Sequence, residues 1–283
     1  MQDRALVFQH IPKTGGTTLA CVVYGQYAHD RIFFFGHWPR TSEGLQLFVR
    51  LPATIRNSFQ AFLGHQPFGI HEYLDKPVTY ITLLRDPVER VISHYYHRYR
   101  KKNPAVERSP APQPLIPVDN YMVSDPYWHN WQCRFLHGPA DRFATNGDGQ
   151  RVLEEVKANI ERHSVLVGLT ERFDESLVLF KLALGWDYPA YTKMNVGNGR
   201  PKTEEQPEEA LNAVRACNRL DVELYDFVHE RFQRQIRSYG RLFVEELNRF
   251  RAVQRERLQE DRTLCCGSDR VRSRLQSHAP HNP

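Results

Sequence analysis

The chain has 283 residues, of which 41% are apolar and 25% charged, and its formal net charge is +5. This length suits one large α/β domain or two small ones, with a core that needs no disulfide or metal to hold it. The small net charge argues against a general nucleic-acid-binding surface, and no apolar run approaches the 18 or so residues of a membrane span.

The first predicted elements are a strand, a tight loop and a helix. Residues 5–11 form an apolar run that predicts a strand, and apolar periodicity from Thr17 predicts a helix. The loop between them carries Lys13, Gly15 and Gly16. A helix that starts directly after such a loop favours a bound anion. The alternative is a corner in which the glycines only form the turn.

This loop differs from the usual nucleotide-binding P-loop. In that motif the lysine follows the glycines, whereas here Lys13 precedes them. The hydroxyls of Thr14, Thr17 and Thr18 and the amides of Gly16, Thr17 and Thr18 are predicted to assist Lys13 in holding the anion.

Further strands and helices alternate along the chain. We predict strands at 31–36, 59–64, 77–84 and 164–169, and helices near 42–50, from 87, around 125–137, from 173 to Gly185, and over 207–260. Residues 103–117 form a proline-rich loop, residues 194–203 a basic glycine-containing loop, and the last twenty or so residues a disordered tail. The predicted fold class is α/β, a P-loop-like parallel sheet flanked by helices, with a helical C-terminal extension. Residues 1–205 form the core, 206–260 a helical part of the same domain, and 261–283 the tail.

The strand at 77–84 leads into a second candidate anion site. It ends at Arg85, and Asp86, Pro87 and Glu89 then match a helix start with a capping box. Arg85 and Ser93 are predicted to hold a second phosphate. The alternative is that Arg85 only pairs with Asp86 or Glu89.

Three loops are expected to meet at one edge of the sheet. Ligands of open parallel sheets bind beyond the carboxyl ends of the strands. The loops at 12–18, 64–71 and 85–93 all follow predicted strands. Two anion-binding sites at that edge indicate a ligand that carries phosphate groups at two positions.

Several segments, in order, resemble one enzyme family. Residues 10–18 and 82–96 are similar to the two motifs with which sulfotransferases bind 3′-phosphoadenosine 5′-phosphosulfate (PAPS). GHQPFGIHEYL (64–74), NWQCRFLHG (130–138) and LVGLTERFDESLVLF (166–180) agree with the carbohydrate branch that includes the heparan sulfate 2-O- and uronyl 2-O-sulfotransferases. The resemblance covers about residues 5–205.

The resemblance implies roles for individual residues. The residues from Lys13 to Thr18, including Gly15 and Gly16, would bind the 5′-phosphosulfate, and Arg85 and Ser93 the 3′-phosphate. Arg200 and Lys202 would close over the nucleotide. His65 falls at the position of the catalytic histidine, with His71 as the next candidate. Leu63 replaces a second histidine that some relatives have.

The implied reaction is an in-line displacement. His65 accepts the proton of an acceptor hydroxyl, and Lys13 stabilises the charge that develops on the bridging oxygen as the nucleotide leaves. No metal is expected, since no acidic residue is convincingly placed to hold Mg²⁺. The acceptor is expected to be a sugar or polysaccharide, with an acidic saccharide as one option. Its candidate contacts are His37, Trp38, Arg40, Tyr96, Arg98, Arg100, Lys101 and Lys102. The alternative is that the basic residues from Arg98 to Lys102 only form a solvated helix end.

Two other functions stay open at this point. A P-loop kinase or NTPase is disfavoured by the position of Lys13, and a non-catalytic nucleotide-binding module by the presence of His65 and Lys13. The five cysteines show no zinc spacing, and no N-x-[ST] acceptor or signal peptide is present. These features predict a cytoplasmic protein, with a trimmed secretory-pathway protein as the alternative.

Overall fold

The computed structural model describes residues 4–37, 41–102, 117–138, 149–188, 191–192 and 202–263. The strands are β1 (Ala5–Gln9), β2 (Ile32–Phe34), β3 (Ala61–Gly64), β4 (Val78–Leu84) and β5 (Leu166–Leu169). The helices are α1 (Gly16–Gln26), α2 (Thr41–Arg50), α3 (Ala53–Ser58), α4 (Pro87–Lys102), α5 (Val118–Ser124), α6 (Trp131–His137), α7 (Gly149–Arg162), α8 (Phe173–Leu184), α9 (Glu208–Cys217), α10 (Arg219–Tyr239) and α11 (Arg241–Thr263).

The strands form one parallel sheet in the order β2-β3-β1-β4-β5. All five residues of β1 are buried, as are the last five of β4, because helices cover both faces of a parallel sheet. The predicted α/β class, with a parallel sheet, flanking helices and a helical C-terminal region, is confirmed. The predicted domain boundaries stay a prediction.

Local signals located several helix ends correctly. Helix α8 ends at Gly185, which adopts φ 67° as a left-handed C-cap. Half of the predicted capping box of α4 is present, because the Glu89 N–H donates to Asp86 Oδ1 (2.9 Å). The other half is absent, since the Asp86 N–H donates to Glu171 Oε1 instead (3.0 Å). The Glu89 carboxylate is drawn to the charge of Arg85.

Other predictions needed correction. The single helix expected around 125–137 is a 3₁₀ turn at Pro126–Trp128 followed by α6, with Asn130 at φ 49° between them. The helical region expected over 207–260 is three helices, interrupted at Asn218 and Gly240. Helices α3, α5 and α7 had not been predicted. Most of the proline-rich loop, and all of the tail beyond residue 263, lie outside the described residues.

Buried polar contacts attach the C-terminal helices to the core. The Asn130 N–H donates to Asn218 Oδ1 (3.1 Å), and the Leu220 N–H donates to Asn130 Oδ1 (2.9 Å). The carboxylate of Asp221 accepts the N–H groups of Gln132 (3.1 Å) and Cys133 (2.8 Å) at the start of α6. Helix α10 therefore holds the start of α6 in place.

Within the described part of the chain, no helix is both long and apolar enough to cross a bilayer. Cys21, Cys133 and Cys217 are free thiols, and Cys265 and Cys266 lie outside the described residues.

Candidate active site

The central strand of the sheet brings the three predicted loops together. Strand β1 pairs with β3 on one side and β4 on the other, and Gln9 is in register with both Gly64 and Thr82. The segments that follow these three strands therefore begin side by side at the carboxyl edge. They carry Lys13, His65 and Arg85.

The first loop is tightly curled before α1. Lys13 (φ 73°) and Gly15 (φ 81°) both adopt left-handed conformations, which is unusual for a lysine. The Thr14 hydroxyl donates to the Ile11 carbonyl (2.9 Å), and the Thr18 N–H donates to the Gly15 carbonyl (3.1 Å). This hydroxyl and this amide, both expected to contact the anion, are thus engaged within the loop. Helix α1 begins at Gly16, and Thr17 is half-buried.

A threonine after β5 supports the same loop. The Thr170 hydroxyl lies 2.7 Å from the Thr14 carbonyl and 3.0 Å from the Leu84 carbonyl. It connects the first loop to the end of β4 and so fixes the distance between the two candidate anion-binding sites. The sequence analysis assigned no role to Thr170, because its effect depends on which strands become neighbours.

Three histidines from three strand ends form a cluster. The ring of His65 contacts His10 edge-on, with centroids 4.5 Å apart, and His37 at 5.3 Å. His37 is exposed, His65 is partly covered and His10 is buried. His37, expected in the acceptor cleft, thus lies on the solvent side of His65. His10 is a residue that the sequence analysis missed.

His10 also touches the first loop. A Cβ added to Gly16 would lie 2.0 Å from His10 Cδ2, so the imidazole fills the place of a side chain at the first residue of α1. The His10 ring further stacks on Phe8 at 5.5 Å. One buried ring therefore joins the predicted base to the predicted phosphosulfate loop.

Two rings of the cluster, those of His65 and His10, are neutral at neutral pH. Burial, assisted by the neighbouring His37, lowers the pKa of His65 to about 3. Burial and the positive charge that His65 would carry also lower the pKa of His10 well below its ordinary value. A neutral imidazole can accept a proton, as a general base requires.

Arg85 is held by both its backbone and its side chain. The Gln132 side chain forms two hydrogen bonds with the Arg85 backbone, accepting from the Arg85 N–H (2.9 Å) and donating to the Arg85 carbonyl (2.8 Å). The guanidinium pairs with Glu89 (2.8 Å), has Glu171 at 3.9 Å, and reaches the Lys13 carbonyl at 3.4 Å. The pairing of Arg85 with Glu89, which was one alternative from the sequence, is present. The Arg85 side chain also connects the two candidate anion-binding sites, because it reaches the Lys13 carbonyl.

The segment around Lys202 is anchored beside Arg85. The Thr203 hydroxyl and the Glu89 carboxylate form a short hydrogen bond, and the Lys202 N–H donates to Glu205 Oε2 (3.1 Å). Glu89 therefore contacts both Arg85 and the 3₁₀ turn at Thr203–Glu205. Arg200 lies outside the described residues.

Three of the remaining predicted contacts, Ser93, Tyr96 and Arg98, lie on α4. Ser93 is half-buried on α4, two turns beyond Arg85. Tyr96 is only 4% exposed and packs against Tyr95, so its ring belongs to the core and not to an open cleft. The Arg98 guanidinium stacks on Trp128 at 4.9 Å. Trp38 and Arg40, and the side chains of Arg100, Lys101 and Lys102, lie outside the described part of the chain.

His71, the second candidate base, belongs to another region. Its Nδ1 is 2.8 Å from the Tyr80 hydroxyl, and its ring contacts His163. Leu63, which replaces a second histidine of some relatives, is a core residue of β3. Among the described residues, no group of three or more His, Cys, Asp or Glu side chains is arranged to hold a metal ion. The expectation of a metal-free reaction stays a prediction.

Comparison with known proteins identifies relatives. The family model for galactose-3-O-sulfotransferase matches residues 4–280. Bovine (Bos taurus) galactose-3-O-sulfotransferase 3 is 31% identical over 192 residues, which are 63% of this chain and 43% of the relative. Mouse (Mus musculus) galactosylceramide sulfotransferase is 28% identical over 252 residues, 84% of this chain and 59% of the relative. Xenopus laevis heparan sulfate 2-O-sulfotransferase 1 is 22% identical over 265 residues, 82% and 71% respectively.

These matches confirm one expectation and overturn another. The resemblance to carbohydrate sulfotransferases is confirmed, with a heparan sulfate 2-O-sulfotransferase among the relatives. The chain spans about half the length of the first curated relatives that it matches. The expected cytoplasmic location is wrong, because these relatives are Golgi-lumenal enzymes. Cysteine spacing and missing glycosylation acceptors, on which that expectation rested, do not determine a compartment.

Proposed function

The chain belongs to the galactose-3-O-sulfotransferase family, and we propose that it transfers a sulfuryl group from PAPS to a hydroxyl of a saccharide acceptor. The observation that supports this proposal most directly is that His10 contacts both His65 and Gly16. A neutral candidate base therefore lies next to a helix start suited to an anion, as transfer from a bound phosphosulfate requires.

The donor would lie across the first and third loops, in a P-loop-like arrangement. Lys13 and the start of α1, from Gly15 to Thr18, would hold the 5′-phosphosulfate. Arg85 and Ser93 would hold the 3′-phosphate. The Arg85 guanidinium is already oriented by Glu89 and by the Lys13 carbonyl, and a phosphate would compete with Glu89 for it. Lys202 and Arg200 would close over the nucleotide, supported by the Thr203 contact with Glu89.

The proposed chemistry is a single displacement at sulfur. His65 accepts the proton of the acceptor hydroxyl while the acceptor oxygen forms its bond to sulfur. The bond between sulfur and the bridging oxygen breaks, and Lys13 stabilises the negative charge that collects on this oxygen. The products are a sulfate ester and adenosine 3′,5′-bisphosphate.

The proposed acceptor follows from the names of the relatives, and its proposed contact from the residue on the solvent side of His65. The relatives are named for galactose, galactosylceramide and heparan sulfate. Galactose-terminated oligosaccharides are therefore the first acceptors to test. His37 is the described residue best placed to contact them, because it is exposed and lies against His65.

Thermal unfolding with added adenosine 3′,5′-bisphosphate tests the donor site. Ligand at a hundredfold excess over its Kd stabilises a protein by about 2.7 kcal/mol, which corresponds to a rise in Tm of roughly 5–10 °C at this size. ADP should give a smaller rise. A rise produced only by ATP with Mg²⁺ would contradict the proposal and favour a kinase or NTPase.

Transfer of labelled sulfate from PAPS to a galactose-terminated oligosaccharide tests the reaction. His65→Ala should reduce turnover by about 10²–10⁴-fold while the bisphosphate still raises the Tm. The exposed His29 provides a matched control, and His29→Ala should keep full activity. Undiminished turnover in His65→Ala would show that the base is another residue.

A further inference from the structure

A groove lies beside the segment that connects β3 to β4. It consists of two adjoining depressions of about 330 Å³ each, which share His71, Arg162 and His163. The first depression opens beside Arg4 and Val78, at the amino edge of the sheet. At about 3.3 Å per residue, the length of β4 separates this end from Arg85 by roughly 20 Å. The first depression is therefore distinct from the proposed donor site.

Positive charge dominates the lining of the first depression. Arg4, Lys76 and Arg162 line the first depression, and Glu72 is the one acidic residue that lines either depression in the described part of the chain. Two of these cations are positioned by hydrogen bonds. Arg4 donates to the Thr79 hydroxyl (3.2 Å), and Lys76 donates to the carbonyls of Asn57 and Phe59. Arg162 is exposed at the end of α7.

A histidine that Tyr80 holds in place, His71, lines both depressions. The Tyr80 hydroxyl oxygen accepts the His71 backbone N–H (3.0 Å) and lies 2.8 Å from His71 Nδ1. Burial raises the pKa of Tyr80, so the phenol keeps its proton, and burial lowers the pKa of His71. In the tautomer in which Tyr80 donates to Nδ1, the neutral His71 ring carries its own proton on Nε2, on the opposite side of the ring from Tyr80.

We infer that this groove binds an acidic saccharide, whose sulfate or carboxylate groups contact Arg162 and Arg4. Fixed cations and N–H donors recognise oxyanions. Each depression has the size of a small-ligand site, which exceeds a single anion. The partly exposed rings of His71 and His163 pack against each other and against the buried Phe68, and the two imidazoles can contact a sugar. The choice of a saccharide as the carrier of the anion rests on the proposed function.

Binding of a sulfated hexasaccharide, measured by calorimetry with saturating adenosine 3′,5′-bisphosphate, tests this inference. Arg162→Glu should weaken binding by about tenfold or more, and Arg4→Gln should weaken it in the same direction. Arg234→Glu makes the same charge change on exposed α10, outside the groove, and should leave the Kd unchanged. A neutral hexasaccharide and sodium sulfate are measured in parallel and should bind at least tenfold more weakly.

The outcomes separate this inference from the proposed function. Unchanged affinity in both Arg162→Glu and Arg4→Gln, with Tm values equal to that of the unmodified protein, would overturn the groove. Equal affinity for sodium sulfate and the sulfated hexasaccharide would overturn the saccharide as its ligand. If the bisphosphate gave no thermal shift but the hexasaccharide still bound in an Arg162-dependent way, the donor site would be refuted and the groove supported.

Discussion

The ring of His65 stands edge-on to the ring of His10, with 4.5 Å between their centroids and 84° between their planes. His10 is buried against the first residue of α1, and His65 lies between it and the exposed His37. The orientation of the proposed base is therefore set by a residue on a different strand, and this contact leads to the first prediction.

Removing the His10 ring should misplace His65 without removing it. We expect His10→Ala to lower kcat by about 10- to 100-fold, because small displacements of a catalytic group cost about this much. His10→Phe keeps a ring against His65 and should recover most of the loss. Equal loss in both variants, or a shifted pH profile of kcat in His10→Phe, would contradict a purely positioning role for His10.

A methyl group at the start of α1 should disturb the donor loop. Gly16→Ala places a Cβ 2.0 Å from His10 Cδ2, and the buried ring has little room to move. We expect the free energy of unfolding to fall by about 1–3 kcal/mol and the bisphosphate to bind more weakly. Gly25 lies on the same helix with nothing within 4 Å of an added Cβ. Gly25→Ala should be neutral or stabilising by up to about 1 kcal/mol, and a similar loss in both variants would refute the clash.

The side chain of Gln132 should be needed for Arg85. Gln132→Met keeps the shape of the side chain but leaves the Arg85 N–H and carbonyl without these two bonds. Leaving buried polar groups unsatisfied costs about 1–3 kcal/mol, and we expect weaker bisphosphate binding as well. Chemical unfolding and titration measure the two effects. Gln150→Met, on the exposed side of α7, is the control and should change neither.

The buried Asp221 should be essential for stability. It accepts two N–H groups at the start of α6, and its charge offsets the cost of burying Arg90. Asp221→Asn should reduce the free energy of unfolding by about 3–5 kcal/mol, because it leaves a buried charge uncompensated. Asp226→Asn, at an exposed position of the same helix, should change it by less than about 0.5 kcal/mol. A small effect of Asp221→Asn would show that Arg90 has another counterion.

Buried histidines should make the fold sensitive to acid. Burial, with the neighbouring charges of Arg90 and Arg98, lowers the pKa of His94 to about 2, against about 6.5 in an unfolded chain. Below pH 6.5 the unfolded state binds a proton that the folded state does not, so the free energy of unfolding falls as the pH falls. Each such histidine contributes a slope of about 1.4 kcal/mol per pH unit.

His94→Phe should remove one such contribution. The new ring can keep the contact with Trp128, whose centroid is 4.2 Å away. We expect the slope of unfolding free energy between pH 5.5 and 4.5 to be about 1.4 kcal/mol per pH unit smaller than in the unmodified protein. Identical slopes would show that His94 is not a buried neutral group.

Local sequence signals predicted the elements that nearby residues determine. The apolar run before Lys13, the glycine at the end of α8 and the Asp86 cap all depend on residues within a few positions of one another. Short helices such as α3 and α5 escaped prediction because tertiary packing, more than local propensity, stabilises them. The second half of the capping box failed because Glu171, 82 positions beyond Glu89, binds the Asp86 N–H.

The sequence by itself determined the fold class, the family resemblance and the three loops that carry Lys13, His65 and Arg85. It could do so because strand periodicity and motif spacing are properties of short segments. Only the tertiary structure decided which residues surround these three. His10, Thr170, Gln132 and Glu89 acquire their contacts through strand order and helix packing. Contacts between residues distant in the chain depend on the whole fold, and a single sequence does not display them.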